Sequence, residues 1–139
     1  MNKTDKTDKF EYYRTEKISL LLDSEVFVFG SNEAGRHGAG AAKTAHDLFG
    51  AEYNIGVGFS GQTYAIPTKD FDIQTLPLVS INLYVAAFLD VATVCSELDF
   101  IVTKIGCGLA GYTDAEIAPM FRLAPKNCTF HESWREYLE

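Results

Sequence analysis

Glycine placement is the feature of this sequence that most invites a chemical reading. All eleven glycines fall in two windows, eight between Gly30 and Gly61 and three at Gly106, Gly108 and Gly111. Glycine weakens regular elements but lets the backbone take positive φ and approach another group closely, so such windows read as ligand loops, with tight turns as the plainer alternative. Each window follows an apolar run and leads into a helical pattern, whose first amides and dipole can receive an anion. The first loop, Gly30-Ser31-Asn32-Glu33-Ala34-Gly35-Arg36-His37-Gly38-Ala39-Gly40, lacks the Lys-Ser/Thr ending of a triphosphatase P-loop. It also departs from the dinucleotide pattern Gly-x-Gly-x-x-Gly, because Lys43 stands where the last glycine or alanine belongs. A third scheme of phosphate binding is required.

Several side chains beside these loops carry chemistry. Lys69, just after Tyr64-Ala65-Ile66-Pro67, reads as a nucleophile if its pKa is depressed, as a cation for phosphate, or as a surface lysine. Asp70 and Asp72 read as general base or hydroxyl acceptor, or as solvated turn residues. Cys107 has no neighbouring base in any motif, which favours packing over nucleophilic catalysis. Of the histidines, His37 lies in the loop and is the one placed to donate to a phosphate, whereas His46 falls on a helix and His131 near the end of the chain. Asn32 either orients ligand hydroxyls or caps the turn after Gly30-Ser31. Arg36 is a further cation for phosphate, and Tyr112 and Phe59 are candidates to stack on a planar ring, each with a surface or core-edge role as the alternative.

Alternating strands and helices must position these groups. Val26 to Phe29 is a continuous β-favouring run ending at Gly30, as in a strand buried on both faces of a parallel or mixed sheet. Ala39, Ala42, Ala45 and Leu48 or Phe49 then recur at helical spacing, and Gly50 is placed as a C-terminal stop. Tyr64 to Ile66 and Phe100 to Ile105 predict two more strands. Between them Leu78, Ile81, Val85, Phe88, Leu89 and Ala92 predict a long helix facing the sheet, with Pro77 in its first turn. Thr113-Asp114-Ala115-Glu116 has the form of a capping box. Cys128 to Phe130 predicts a last strand, and Trp134, Tyr137 and Leu138 a packed C-terminal turn. Phe10 to Arg14 and Ile18 to Leu22 are candidate short strands. The class is α/β in one domain over residues 10–139, preceded by a polar, Lys-Thr-Asp-rich flexible tail over residues 1–9.

Composition bounds the function. Twelve basic against nineteen acidic side chains give a net charge of −7, which argues against binding a nucleic-acid backbone by counterion release but leaves room for a small anion held by amides. The apolar run Ile18 to Leu22 is too short to span a bilayer and the polar start does not read as a signal peptide, so a cytoplasmic protein with no membrane contact is expected. Cys95, Cys107 and Cys128 show no paired or metal-ligand spacing, so neither disulfide nor metal is expected.

Taken together, His37-Gly38-Ala39-Gly40-Ala41-Ala42 before a helix, the strand end Ile66-Pro67-Thr68-Lys69, and Ile105-Gly106-Cys107-Gly108-Leu109-Ala110-Gly111 resemble the macrodomain family in order and spacing, from about Val26 to Phe130. The resemblance implies a three-layer α/β/α fold with a mixed, largely parallel sheet and a ligand such as ADP-ribose, with no cofactor. It implies that Gly38, Ala39, Gly40 and Ala41 line the diphosphate from one side and Gly106, Cys107, Gly108, Leu109, Ala110 and Gly111 from the other, with Asn32 near the distal ribose. Members acting on ADP-ribosyl esters or ADP-ribosylated guanine use a lysine, matched here by Lys69, and an aspartate whose position is Ala110. Asp70 or Asp114 are the acids left to substitute.

Two functions follow as expectations. One is binding of ADP-ribose or a related NAD-derived nucleotide, as a free small molecule or on an ADP-ribosylated macromolecule, with hydrolysis of the adduct through Lys69 and Asp70. The other is a non-enzymatic sponge or sensor of a nucleotide signal. An enzyme on free nucleotides or sugars is a third.

Overall fold

The computed structural model describes residues 8–139. The expected tail falls outside the described residues except for Asp8 and Lys9, which are tied to the C-terminus: Arg135 bonds the Asp8 carboxylate, and the Lys9 amide donates to the Glu139 carboxylate at 2.9 Å.

The strands are β1 (Glu11–Tyr13), β2 (Glu25–Asn32), β3 (Gly58–Ser60), β4 (Thr63–Lys69), β5 (Asp99–Val102) and β6 (Cys128–His131). The helices are α1 (Gly40–Phe49), α2 (Leu78–Val94), α3 (Asp114–Ile117) and α4 (Arg135–Leu138). The strands form one six-stranded sheet in the order β1-β6-β5-β2-β4-β3. Every pairing is parallel apart from β3 against β4, so the sheet is mixed and largely parallel, as expected.

Period-two alternation along the central strands divides the core into two layers. On one face Val26 and Val28 of β2 and Tyr64 and Ile66 of β4 pack with Ile81, Val85, Phe88 and Ala92 of α2. On the other, Phe27, Phe29 and Ala65 pack with Ala42, Ala45 and Phe49 of α1. Of the expected stripes, α1 buries Ala42, Ala45 and Phe49 while Ala39 and Leu48 are exposed, and α2 buries Ile81, Val85, Phe88 and Ala92 with Leu78 and Leu89 at the margin, giving the α/β/α layering. Gly50 ends α1 at φ 85° with its amide on the Ala45 carbonyl. The capping box opens α3, with the Glu116 amide 3.3 Å from Thr113 Oγ1 and the Thr113 amide 2.9 Å from Glu116 Oε1.

The segment 18–22 is not a strand. β1 lies at the sheet edge and β2 at its middle, so this connection crosses the face over β6 and β5, where it packs by side chains and not by a ladder. Ile18 and Leu21 pack on the α1 layer while Leu20 and Leu22 stay exposed. The strand expected to reach Ile105 stops at Val102: the Thr103 amide and hydroxyl still reach the Val28 carbonyl, at 3.0 and 2.7 Å, but the Thr103 carbonyl is taken by the Ile105 amide at 2.8 Å, a tight turn at Lys104.

Candidate functional site

β2 has β4 on one side and β5 on the other, and α1 and α2 cover opposite faces of the sheet. The carboxyl ends of these strands thus meet where the winding reverses, the place where open α/β sheets form a ligand crevice. A cleft of about 530 Å³ opens there, between the ends of β2 and β4, the start of α1 and the loop after β5.

The first loop is braced from within. Asn32 Nδ2 donates to the Arg36 carbonyl at 2.8 Å, and the Arg36 amide donates to Asn32 Oδ1 at 2.9 Å. Beneath it, Gly56 lies so close that a Cβ would come within 2.2 Å of the Asn32 carbonyl oxygen. Ser31 Oγ donates to the Gly56 carbonyl. The chain then extends through Ala39 and turns at Gly40, φ 59°, into α1.

The second loop is held by its own backbone. The Tyr112 amide bonds the Gly106 carbonyl at 2.9 Å and the Gly111 amide bonds the Gly108 carbonyl at 3.0 Å. Gly106, φ 75°, sits under Ile117, whose Cδ1 would be 3.0 Å from an added Cβ. Thr75 Oγ1 donates to the Ala110 carbonyl, joining this loop to the turn after β4.

Gly38 and Gly108 differ from the other loop glycines. Neither takes a left-handed φ, and no atom lies within 4 Å of where a Cβ would stand. The fold itself does not require glycine at either position, yet both line the cleft. Among the described residues, the amides of Gly38, Ala39, Ala41, Ala42, Gly108, Leu109 and Ala110 have no hydrogen-bond acceptor.

A bulge aims Lys69. Ser31 pairs with Pro67 but Asn32 pairs with Lys69, leaving Thr68 as the extra residue. That irregularity is where a strand tolerates proline, and it re-aims the side chain that follows. Lys69 is half-buried and lines the cleft. Among the described residues no carboxylate pairs with its ammonium. Beyond it, Asp70 Oδ1 accepts the amides of Asp72 and Gln74 at 2.9 and 3.0 Å, an intraloop cap that fixes the turn. This turn presents Ile73 to the cleft at φ 63°, a costly backbone for a β-branched residue.

Of the candidate residues, the cleft gathers Asn32, Arg36, Gly38, Ala39, Gly40, Ala41, Lys69, Gly106, Gly108, Leu109 and Ala110. His37, Asp70, Cys107 and Gly111 are not in its lining. His37 is 1% exposed; its Nε2 meets the Glu52 carbonyl at 2.8 Å and its ring packs on Phe29 and Tyr53. Its ring is thus buried among these partners and not in the cleft lining. Tyr112 gives its hydroxyl to the Leu76 carbonyl, and Phe59 packs edge-on against Tyr64, so neither ring faces the cleft. Lining residues missed in the sequence include Thr68, Ile73, Thr103 and Lys104. For Lys104 the available signal was a cation just before Ile105-Gly106; for Ile73 there was none.

The cleft is electrostatically one-sided. Among the described residues its lining holds Arg36, Lys69 and Lys104 but no aspartate or glutamate, in a chain of net charge −7. One of these cations is paired: Lys104 Nζ lies 3.3 Å from Asp114 Oδ2, and Asp114 Oδ1 accepts from Trp134 Nε1 at 2.9 Å. Burial opposes the charge of Asp114, yet hydrogen bonds from Trp134, Cys107 and Lys104 outweigh it and hold the carboxyl below its ordinary value. Burial, then the Asp114 carboxylate, pushes the Cys107 thiol up to about 12, which suits a packing residue and not a nucleophile. Among the described residues no three His, Cys, Asp or Glu side chains converge to hold a metal ion.

A second cavity of about 690 Å³ adjoins the cleft, between α1, the Thr15–Ile18 segment and the end of β6 at His131. The two share Gly40, Ala41, Thr103 and Lys104, so they form one groove with a waist at those residues. Among the described residues no helix is long and apolar enough to cross a membrane.

No protein-family model matches the chain, and no curated protein does. Among solved structures it is similar to the macrodomain of Mycobacterium tuberculosis DarG, with a TM-score of 0.66 and 18% identity over 89% of this chain and 97% of that one. It is similar also to a macrodomain protein from Streptomyces coelicolor, with a TM-score of 0.56 and 14% identity over 88% of this chain and 98% of the other. At these identities the likeness is one of architecture, and it agrees with the strand order and layering described above: the chain has the macrodomain fold.

Proposed function

We propose that this protein binds ADP-ribose or a related NAD-derived nucleotide, free or attached to a macromolecule, with the phosphates between the Gly38–Ala41 and Gly106–Ala110 loops. The observation that carries the reading is the lining of the cleft: three cations, no carboxylate and a set of unengaged loop amides, in a protein of net charge −7. Loop amides with no protein acceptor beside a helix start are suited to phosphate oxygens. Glycine at positions 38 and 108, unexplained by the fold, leaves room for a ligand to reach the backbone. A ligand with two organic halves joined by a phosphate link also matches two cavities meeting at a waist. The resemblance of the loops to macrodomains and the shared fold point to the same ligand class.

The test is a thermal-shift panel of ADP-ribose, NAD, AMP and cyclic nucleotides. ADP-ribose at 100 times its Kd stabilises by about 2.7 kcal/mol and raises the melting temperature in a dose-dependent way. A panel with no shift at millimolar ligand overturns the reading.

Binding without turnover is the second reading, and the surroundings of Lys69 favour it. Ala110 supplies no side-chain acid, Asp70 is committed to its own turn, and Asp114 is engaged with Lys104 rather than Lys69. A lysine with no partnering acid is poorly equipped for general acid–base work. Incubation with ADP-ribosylated protein or oligonucleotide followed by chromatography separates the two: released ADP-ribose means a hydrolase acting through Lys69, and unchanged ligand means a sponge or sensor.

A further inference from the structure

We propose that Lys104 is the residue that sets where along the groove the ligand's negative charge must lie, by bonding a phosphate oxygen at the waist between the two cavities. The proposal rests on the anionic-ligand reading above and adds to it a position and a preference. Lys104 borders both cavities, whereas Lys69 and Arg36 border only the cleft. It is therefore the cation placed to meet charge in the middle of a ligand that occupies both.

The ammonium is held in place from behind. Its side chain is 38% exposed and its Nζ lies 3.3 Å from Asp114 Oδ2. That carboxylate is itself fixed: its other oxygen accepts from Nε1 of the fully buried Trp134, and its residue opens α3 beside the capping box. An ammonium has three donors, so one bond to Asp114 leaves others for the waist. A lysine restrained this way loses less rotamer freedom on binding than a free surface lysine does. The Asp114 carboxylate offsets part of the ammonium's charge, so what it contributes is the position of Lys104, while the donors left on the ammonium are what a ligand anion meets. The preferred ligands are those with a phosphate link between two organic halves, over those with a phosphate at one end.

Calorimetric titration of the wild type, Lys104→Met and Lys104→Arg with ADP-ribose, AMP and adenosine at several salt concentrations tests this. Lys104→Met is expected to weaken ADP-ribose about 10-fold or more, the loss typical of one charge-assisted hydrogen bond, and to flatten its salt dependence. AMP is expected to lose clearly less and adenosine nothing. Lys104→Arg, which keeps the charge and the bond to Asp114, is expected to restore most of the affinity. If Lys104→Met binds ADP-ribose as the wild type does, or if all three ligands weaken equally, the proposal is overturned. A wild type that binds none of them instead overturns the reading beneath it.

Discussion

The carboxamide of Asn32 grips the backbone of Arg36 at both of its ends, donating to the carbonyl at 2.8 Å and accepting from the amide at 2.9 Å. One side chain thereby closes the loop that carries Gly38, Ala39 and Gly40 to the start of α1, and it does so from within the cleft lining. Asn32→Asp keeps the shape but sets a carboxylate oxygen against the Arg36 carbonyl. The expected cost is about 1–3 kcal/mol in urea unfolding, with weaker ADP-ribose binding from the added negative charge.

Two glycines, one beneath the first loop and one in the second, should respond in opposite ways. Gly56→Ala forces a Cβ to within 2.2 Å of the Asn32 carbonyl, and should cost about 3 kcal/mol through displaced backbone. Gly108→Ala meets nothing within 4 Å, and should change stability by less than about 1 kcal/mol while reducing ligand affinity. Denaturant melts of both variants, paired with titration of the second, check the contrast.

Cys107 should be slow to alkylate. With its thiol pushed up to about 12, the thiolate at pH 8 is roughly one part in ten thousand. Asp114→Asn removes the carboxylate that helps to raise it, so iodoacetamide labelling of Cys107, read by peptide mass spectrometry, should quicken about 10-fold or more.

Asp114 also predicts a pH dependence. Its carboxyl is held below the ordinary value of 3.8 in the folded chain. The folded state therefore binds this proton less readily than the unfolded state does. The stabilisation is present above the ordinary aspartate range and is lost as pH falls through the lower folded value. The stability gap between wild type and Asp114→Asn should be full at pH 6–7 and shrink steadily below about pH 4. A gap that is constant from pH 7 to pH 3 would contradict the role given to the carboxylate.

The sheet and both flanking helices were legible because their signals are local and repetitive. Phe27 and Phe29 alternate with Val26 and Val28, Ala42, Ala45 and Phe49 keep helical spacing, and Gly50 stops α1 where its backbone must turn left-handed. The glycine loops were legible for the same reason. What stayed hidden depends on partners far along the chain. His37 looks like a ligand contact until Glu52, Phe29 and Tyr53 close around it. Lys104 reads as a strand residue until the Ile105 amide turns back onto the Thr103 carbonyl. No propensity places Ile73 at φ 63°, because the Asp70 cap imposes that backbone from outside the residue.

The most direct measurement is isothermal titration of ADP-ribose into the wild type and into Gly38→Val and Gly108→Val, each shown by its melt to be folded. A Cβ at either position meets nothing within 4 Å, and both positions line the cleft. Saturable binding to the wild type, lost or weakened at least about 10-fold in both variants, is the expected result. Absence of binding to the wild type at millimolar ADP-ribose, or unaltered affinity in both variants, would contradict phosphate binding between these two loops.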